Sequence, residues 1–153
     1  SIPVEAKASA NYLNGMVARG EARERGFDHA IMLDTQGFVA EGGTESIFIV
    51  KKGRLLTPAT GTILRGITRK SLLEMTRVLD IEGAEIRLLP EDLFQASEIF
   101  FSGTPMKILP VSKLETRVFE EVPGPMTRQF FLLMEDIVSG RDERFQEWLF
   151  LVD

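Results

Sequence analysis

The sequence contains no cysteine, one histidine, one tryptophan and one tyrosine in 153 residues. Without cysteine there is no disulfide scaffold, no thiolate metal site and no thiol nucleophile, a usage that fits a reducing compartment. The single histidine, His29, argues against a His-dependent triad or a multi-His metal centre and reads as a polar residue at a strand entrance. No apolar run approaches the roughly 20 residues of a membrane helix, and the first residues show no signal-peptide pattern. Positive charge is in deficit: 18 Lys+Arg against 23 Asp+Glu leave a net charge of −5. A nucleic-acid or anionic-membrane surface would need a local basic patch against that field, and none is visible. The densest charge cluster (Arg19, Glu21, Arg23, Glu24, Arg25) alternates sign and reads as a solvated helix face. The chain opens Ser1-Ile2-Pro3 without a methionine, as a processed or truncated chain would.

What is present is ordinary globular composition, 44% hydrophobic and 27% charged. A chain of this size buries roughly 68–70% of its unfolded surface, enough for a single domain over 1–153 without staples. Residues 7–26 lack proline and set Tyr12, Leu13, Met16 and Val17 on one helical face, with Gly26 as the stop. Short apolar runs at 29–34, 38–41, 46–50 and 54–58 follow, separated by the Thr35-Gln36-Gly37 and Lys52-Gly53 turns, which predicts antiparallel strands. A second helix opens at Gly66 and carries Leu72, Leu73, Thr76 and Leu79 until Gly83. Residues 84–89 read as a strand, 90–96 as a short helix with proline in its first turn, and 98–102 and 106–114 as further strands. After the Pro123-Gly124-Pro125 break, a third long helix aligns Phe130, Phe131, Met134, Ile137 and Val138, and a short amphipathic helix closes near Trp148. Hairpins outnumber strand-helix-strand crossovers, so the fold class is α/β with a largely antiparallel or mixed sheet.

Two turns place glycine beside hydroxyls. Leu64-Arg65-Gly66-Ile67-Thr68-Arg69 puts a glycine and a threonine where the second helix begins, so free N–H groups and the positive end of the helix dipole converge. Ser102-Gly103-Thr104 offers a similar set at a strand end. Such a site suits a phosphate, although Gly-x-Thr alone is most often just a helix cap.

Several motifs occur in order: Ala6-Lys7-Ala8-Ser9-Ala10-Asn11-Tyr12-Leu13, Leu33-Asp34 with Gly37, Ala40-Glu41-Gly42-Gly43-Thr44-Glu45-Ser46-Ile47-Phe48, Thr57-Pro58, the run 64–69, and Phe101-Ser102-Gly103-Thr104 with Pro110-Val111. Together they resemble the fold-type IV pyridoxal-phosphate enzymes, nearest to the branched-chain and D-amino-acid aminotransferases. The likeness runs from about Val4 to Trp148. It implies the larger, C-terminal domain of such an enzyme: a mixed, mostly antiparallel sheet forming a pseudo-barrel with packed helices. Nothing in the sequence corresponds to the family's N-terminal domain.

By the same resemblance Lys7 matches the lysine that bonds to the cofactor aldehyde and shuttles a proton, a role that requires an amine stripped of its proton. Tyr12 matches a partner of the cofactor's phenolic oxygen, and Glu41 the acid that keeps the pyridine nitrogen protonated. Leu64 matches a side chain against the ring face, while Gly66, Ile67, Thr68, Gly103 and Thr104 match the phosphate cradle. Taken alone, Lys7 would be a solvated lysine at a helix start, Tyr12 a core aromatic and Glu41 a surface carboxylate. Thr104 and Pro105 fall where substrate carboxylates bind, but Pro105 has no N–H to donate, and Ser46 replaces a common asparagine.

The resemblance implies amino-group transfer between an amino acid and a 2-oxo acid, of the branched-chain or a related class, by a cytoplasmic homodimer or higher homo-oligomer. No metal is implied. Two alternatives stand: a 4-amino-4-deoxychorismate lyase on the same fold, which eliminates rather than transfers, and an inactive domain fragment of such an enzyme.

Overall fold

The computed structural model describes residues 9–42, 45–59, 67–103 and 108–144, and of residues 9–16, 67 and 68 it describes the backbone alone. The chain opens with helix α1 (Ser9–Glu24). Its end is set by Gly26, whose φ of 87° only glycine adopts freely. The Phe27 N–H then reaches back to the Ala22 carbonyl at 2.8 Å, satisfying a last-turn acceptor. A hairpin follows from β1 (Ile31–Leu33) to β2 (Val39–Gly42). Asp34 shapes its turn, Oδ1 accepting the N–H groups of Gln36 and Phe38 at 2.8 and 3.0 Å.

Strands β3 (Ser46–Lys51) and β4 (Arg54–Pro58) form the second hairpin. Lys52 and Gly53 both have positive φ, 52° and 72°, which matches the right-handed twist of the flanking strands. Helix α2 (Ile67–Val78) carries the chain to β5 (Gly83–Ile86), and α3 (Pro90–Gln95) leads into β6 (Glu98–Ser102). The two-residue strands β7 (Leu109–Pro110), β8 (Lys113–Leu114) and β9 (Arg117–Val118) precede α4 (Pro125–Val138).

The main sheet has the order β5-β4-β3-β6-β7. Every pairing in it is antiparallel except β4 with β5, the pair that α2 connects. Alternation along the central strands divides their side chains between two cores. Phe48, Val50, Leu55 and Phe100 meet Leu72 and Met75 of α2 and Phe130, Leu133, Met134 and Ile137 of α4. On the other face Ile47, Ile49, Leu56, Ile99 and Phe101 pack with Val39, Leu88, Leu93, Ala96 and Phe119. The sheet is buried on both sides, which is why β3 and β6 read as continuous apolar runs.

Within the described residues the elements expected from the sequence are present, with several differences in extent and packing. The strand expected at 106–114 is two short strands, and the turn through Glu115 (φ 51°) makes a further hairpin, β8–β9. Helix α2 stops at Val78, before Gly83, because Asp80 adopts φ 55° and the Ile81 N–H bonds the Thr76 carbonyl at 2.9 Å. The α4 stripe is Phe130, Leu133, Met134 and Ile137, while Phe131 and Val138 are 43% and 50% exposed. At about 100° per residue the positions one beyond 130 and 137 turn off the core face. Pro125 belongs to α4 as its first residue rather than to the preceding break. In α1, Val17 is exposed instead of packed. The closing helix near Trp148 lies outside the described residues.

Candidate active site

One end of the main sheet collects the residues of interest. The β3–β6 register pairs Ser46 with Ser102, so the start of β3 and the end of β6 lie side by side. The end of β4 joins them, because the Thr57 hydroxyl donates to the Ile47 carbonyl at 2.7 Å. Helix α2 is fastened to the same place: Arg69, 3% exposed, donates from Nη2 to the Pro58 carbonyl at 2.6 Å and pairs through Nη1 with Glu85 at 3.2 Å. The first-turn N–H groups of α2, including that of Ile67, have no partner within the helix. The bond from Arg69 to Pro58 ties this start of α2 to the end of β4. At the end of β6 the Ser102 hydroxyl is buried, 2% exposed, and has no hydrogen-bond partner among the described residues.

Strand β2 delivers Glu41 to this end. Glu41 faces Met32 across the β1–β2 pair and is half-buried, and the next residue, Gly42, is buried. The Gly42 N–H donates to the Glu45 carbonyl at 2.7 Å, closing the turn into β3. Glu45 is 3% exposed, and its carboxyl group receives the Arg19 guanidinium of α1. His29 Nδ1 lies 4.0 Å from the same oxygen, and the His29 ring packs against Phe101 at 5.5 Å.

Of the residues expected from the sequence, Glu41, Gly103 and the backbone of Ile67 and Thr68 are described, and the strand register and the α2 anchor draw them towards one sheet end. Tyr12 is described by its backbone in the first turn of α1. Lys7, Leu64, Gly66, Thr104 and Pro105 lie outside the described residues. Sequence reasoning missed the parts played by Arg19, Glu45, Arg69 and Ser102. Arg19 is a correction: instead of joining a solvated face, it leaves the alternating cluster and reaches the buried Glu45. Its neighbour Arg25 does remain at the surface, paired with Glu115 at 2.7 Å. The only hint was that Glu45 is a lone acid between glycines and an apolar strand.

A cavity of about 550 Å3 lies nearby, between the end of α1 and β7–β8, lined by residues such as Arg25, Phe27, His29, Phe101 and Lys113. Neither Glu41 nor Gly103 lines it. Among the described residues no cluster of acids and histidines could hold a metal ion, and no helix is long and apolar enough to cross a membrane.

A helix N-terminus, a buried strand-end hydroxyl and a half-buried acid on an adjoining strand are thus held at one end of the sheet, and the first of these suits an anion. The sequence model of the family described as Amino-transferase class IV matches residues 3–114, and the chain belongs to that family. It is 36% identical over 152 residues to a probable branched-chain-amino-acid aminotransferase of Aquifex aeolicus (strain VF5), covering 97% of this chain and 49% of that protein. The crystal structure of the branched-chain aminotransferase of Thermoproteus uzoniensis with norvaline superposes with a TM-score of 0.92 at 41% identity, covering 97% of this chain and 50% of that one. The branched-chain amino acid aminotransferase of Thermobaculum terrenum in its PLP form gives 0.94 at 38% identity, with the same coverage. The chain therefore spans about half the length of the relatives it matches.

Proposed function

We propose that this chain is the cofactor-binding domain of a pyridoxal-phosphate-dependent aminotransferase that moves an amino group between a branched-chain or related amino acid and a 2-oxo acid. The observation that carries the reading is the gathering of Glu41, the start of α2 and the Ser102–Gly103 strand end at one end of the main sheet. These residues fit the cofactor. The dipole of a 12-residue helix and its first-turn N–H groups attract a phosphate, and the buried Ser102 hydroxyl, which has no partner among the described residues, is a further donor at the strand end.

When bound, pyridoxal phosphate supplies an aldehyde and an electron-withdrawing ring. The Lys7 amine would take and return the proton that moves during transfer. Glu41 would hold a proton on the pyridine nitrogen, and Tyr12 would hydrogen-bond the phenolic oxygen. Leu64 would pack the ring face, and Gly66, Ile67, Thr68, Gly103 and Thr104 would hold the phosphate, with Thr104 and Pro105 beside the substrate carboxylate. The reading extends to a homo-oligomer in the cytoplasm. It is supported by surface that a partner would cover: Phe94 on α3 and Val118 on β9 are exposed apolar side chains. They lie close together, because Arg117 of β9 donates to the carbonyls of Leu93 and Phe94.

The test is a pair of assays on the full-length protein with added pyridoxal phosphate. Consumption of 2-oxoglutarate with a branched-chain donor supports the reading. Release of pyruvate from 4-amino-4-deoxychorismate without amino transfer would replace it with the lyase.

A further inference from the structure

We propose that Arg19 and Glu45 tie α1 to the end of β2, making Arg19 a positioning residue for Glu41; the inference rests on the role given to Glu41 above. Three observations carry it. First, Arg19 and Tyr12 are seven residues apart on α1, two helical turns, so both positions fall on one face of the helix that starts just after Lys7. Second, the Arg19 guanidinium donates to a Glu45 carboxyl group only 4% exposed, where an ion pair is poorly screened and its geometry is well held. Third, Glu45 bears on β2 twice. Its backbone carbonyl accepts the Gly42 N–H at 2.7 Å, and its Oε2 stands 2.9 Å from where a Cβ on Gly42 would be. Phe101 stands at the same 2.9 Å from that position. His29, packed on Phe101, bounds the carboxyl group beyond Arg19.

Gly42 thus packs directly against Glu45 and Phe101 with no room for a side chain, and Glu41 is its chain neighbour. Removing the guanidinium takes a charged partner from a buried carboxyl group, and such a group shifts to replace what it has lost. Any such movement acts on Gly42 and then on Glu41. The pair therefore fixes the spacing between the helix that carries the Tyr12 position and the strand that carries the acid.

The experiment uses the full-length protein with Arg19→Met, Arg19→Lys and Glu41→Gln. Amide hydrogen exchange is read on the cofactor-free protein, and the absorption maximum is read after adding pyridoxal phosphate. In Arg19→Met, exchange at Glu41 and Gly42 is expected to quicken at least tenfold while the β3 and β6 amides keep their parent rates. The absorption maximum is expected to shift in the same direction as in Glu41→Gln, and Arg19→Lys is expected to restore both. A variant that only unfolds at lower temperature, with either exchange at Glu41 and Gly42 or the absorption maximum unmoved, overturns the proposal. Should Arg19→Met fail to fold, Arg19→Gln, which keeps a donor and loses the charge, is read in the same way. If Glu41→Gln leaves the absorption maximum at the parent value, the reading of Glu41 fails, and the exchange result still decides whether the tie exists.

Discussion

Glu98 and Thr127 join the central sheet to the last helix: Glu98 Oε1 accepts the Thr127 N–H at 2.8 Å, and its other oxygen accepts the Met126 N–H at 3.2 Å. A carboxyl group from a neighbouring strand thus does what a capping side chain normally does from within the helix. The N-cap itself, Gly124, supplies no side chain. It cannot carry one either, because a Cβ there would overlap the Glu98 carboxyl group. Gly124→Ala should therefore destabilise the protein by about 2–3 kcal/mol, since it displaces the cap. Glu98→Gln, with one acceptor oxygen left, should cost about 1–2 kcal/mol. Urea unfolding monitored by circular dichroism checks both, and equal stability of Gly124→Ala and the parent would contradict the cap.

Asp92 links α3 to β3 and makes stability depend on acid. Lys51 Nζ donates to Asp92 Oδ1 at 2.7 Å, and Oδ2 accepts the Leu89 N–H at 2.8 Å. The hydrogen bond from Lys51, helped by that from Leu89 and opposed by partial burial, holds the Asp92 carboxyl below its usual range. The unfolded carboxyl titrates near about 3.9. A depressed folded value gives stability that is fully present above that pH and is lost as pH falls through the folded value. Lys51→Met should flatten the acid limb of the stability curve between about pH 5 and pH 2 and leave the pH dependence above 6 unchanged. Denaturant midpoints measured across that range are the check.

The elements and the site were legible to different depths, for physical reasons. Glycine turns and alternating apolar runs gave away both hairpins, since positive φ at Gly37 and Gly53 is a local need written in local sequence. The hairpin β8–β9 was hidden because its turn uses Glu115 at φ 51°, where no glycine or asparagine announces it. Phe131 and Val138 looked like core because composition records that a residue is apolar, whereas only the helix phase against a particular partner decides which side is covered. At the site, Glu41, Thr68 and Gly103 stood in recognisable motifs. Arg19 did not, because its partner is 26 residues away and its own neighbours alternate in charge like any wet helix face. Buried partners brought together by tertiary structure leave no spacing to read.

Reduction with borohydride should place a pyridoxyl mass on Lys7 and on no other lysine. The lysine directly precedes α1, and its motif is followed downstream by the residues that the fold gathers at one sheet end. Surface lysines such as Lys52 and Lys70 are exposed, and an amine open to water is not held in place against the aldehyde. Peptide mapping of the reduced full-length protein decides the matter, and a label spread over several lysines would sink the assignment.

Arg69 connects the fold to the site, and its loss should separate the two effects. The side chain is buried, and it bonds the carbonyl that ends β4 and the carboxyl group of Glu85 on β5. Arg69→Met fills similar space with apolar atoms but leaves that carbonyl and that carboxyl group without their donor. Glu85 is 34% exposed and can turn to water, which holds the cost near about 2–4 kcal/mol rather than the larger value of a fully buried pair. The second effect follows from position: Arg69 is the third residue of α2, so releasing it frees the helix end whose N–H groups are proposed to hold the phosphate. Affinity for pyridoxal phosphate should then fall by at least tenfold under conditions where the variant is still fully folded. Fluorescence titration at low temperature, beside a thermal melt without cofactor, measures the two separately. A variant that loses stability yet binds the cofactor as tightly as the parent would show that Arg69 serves the sheet alone, and that the start of α2 is held by other contacts.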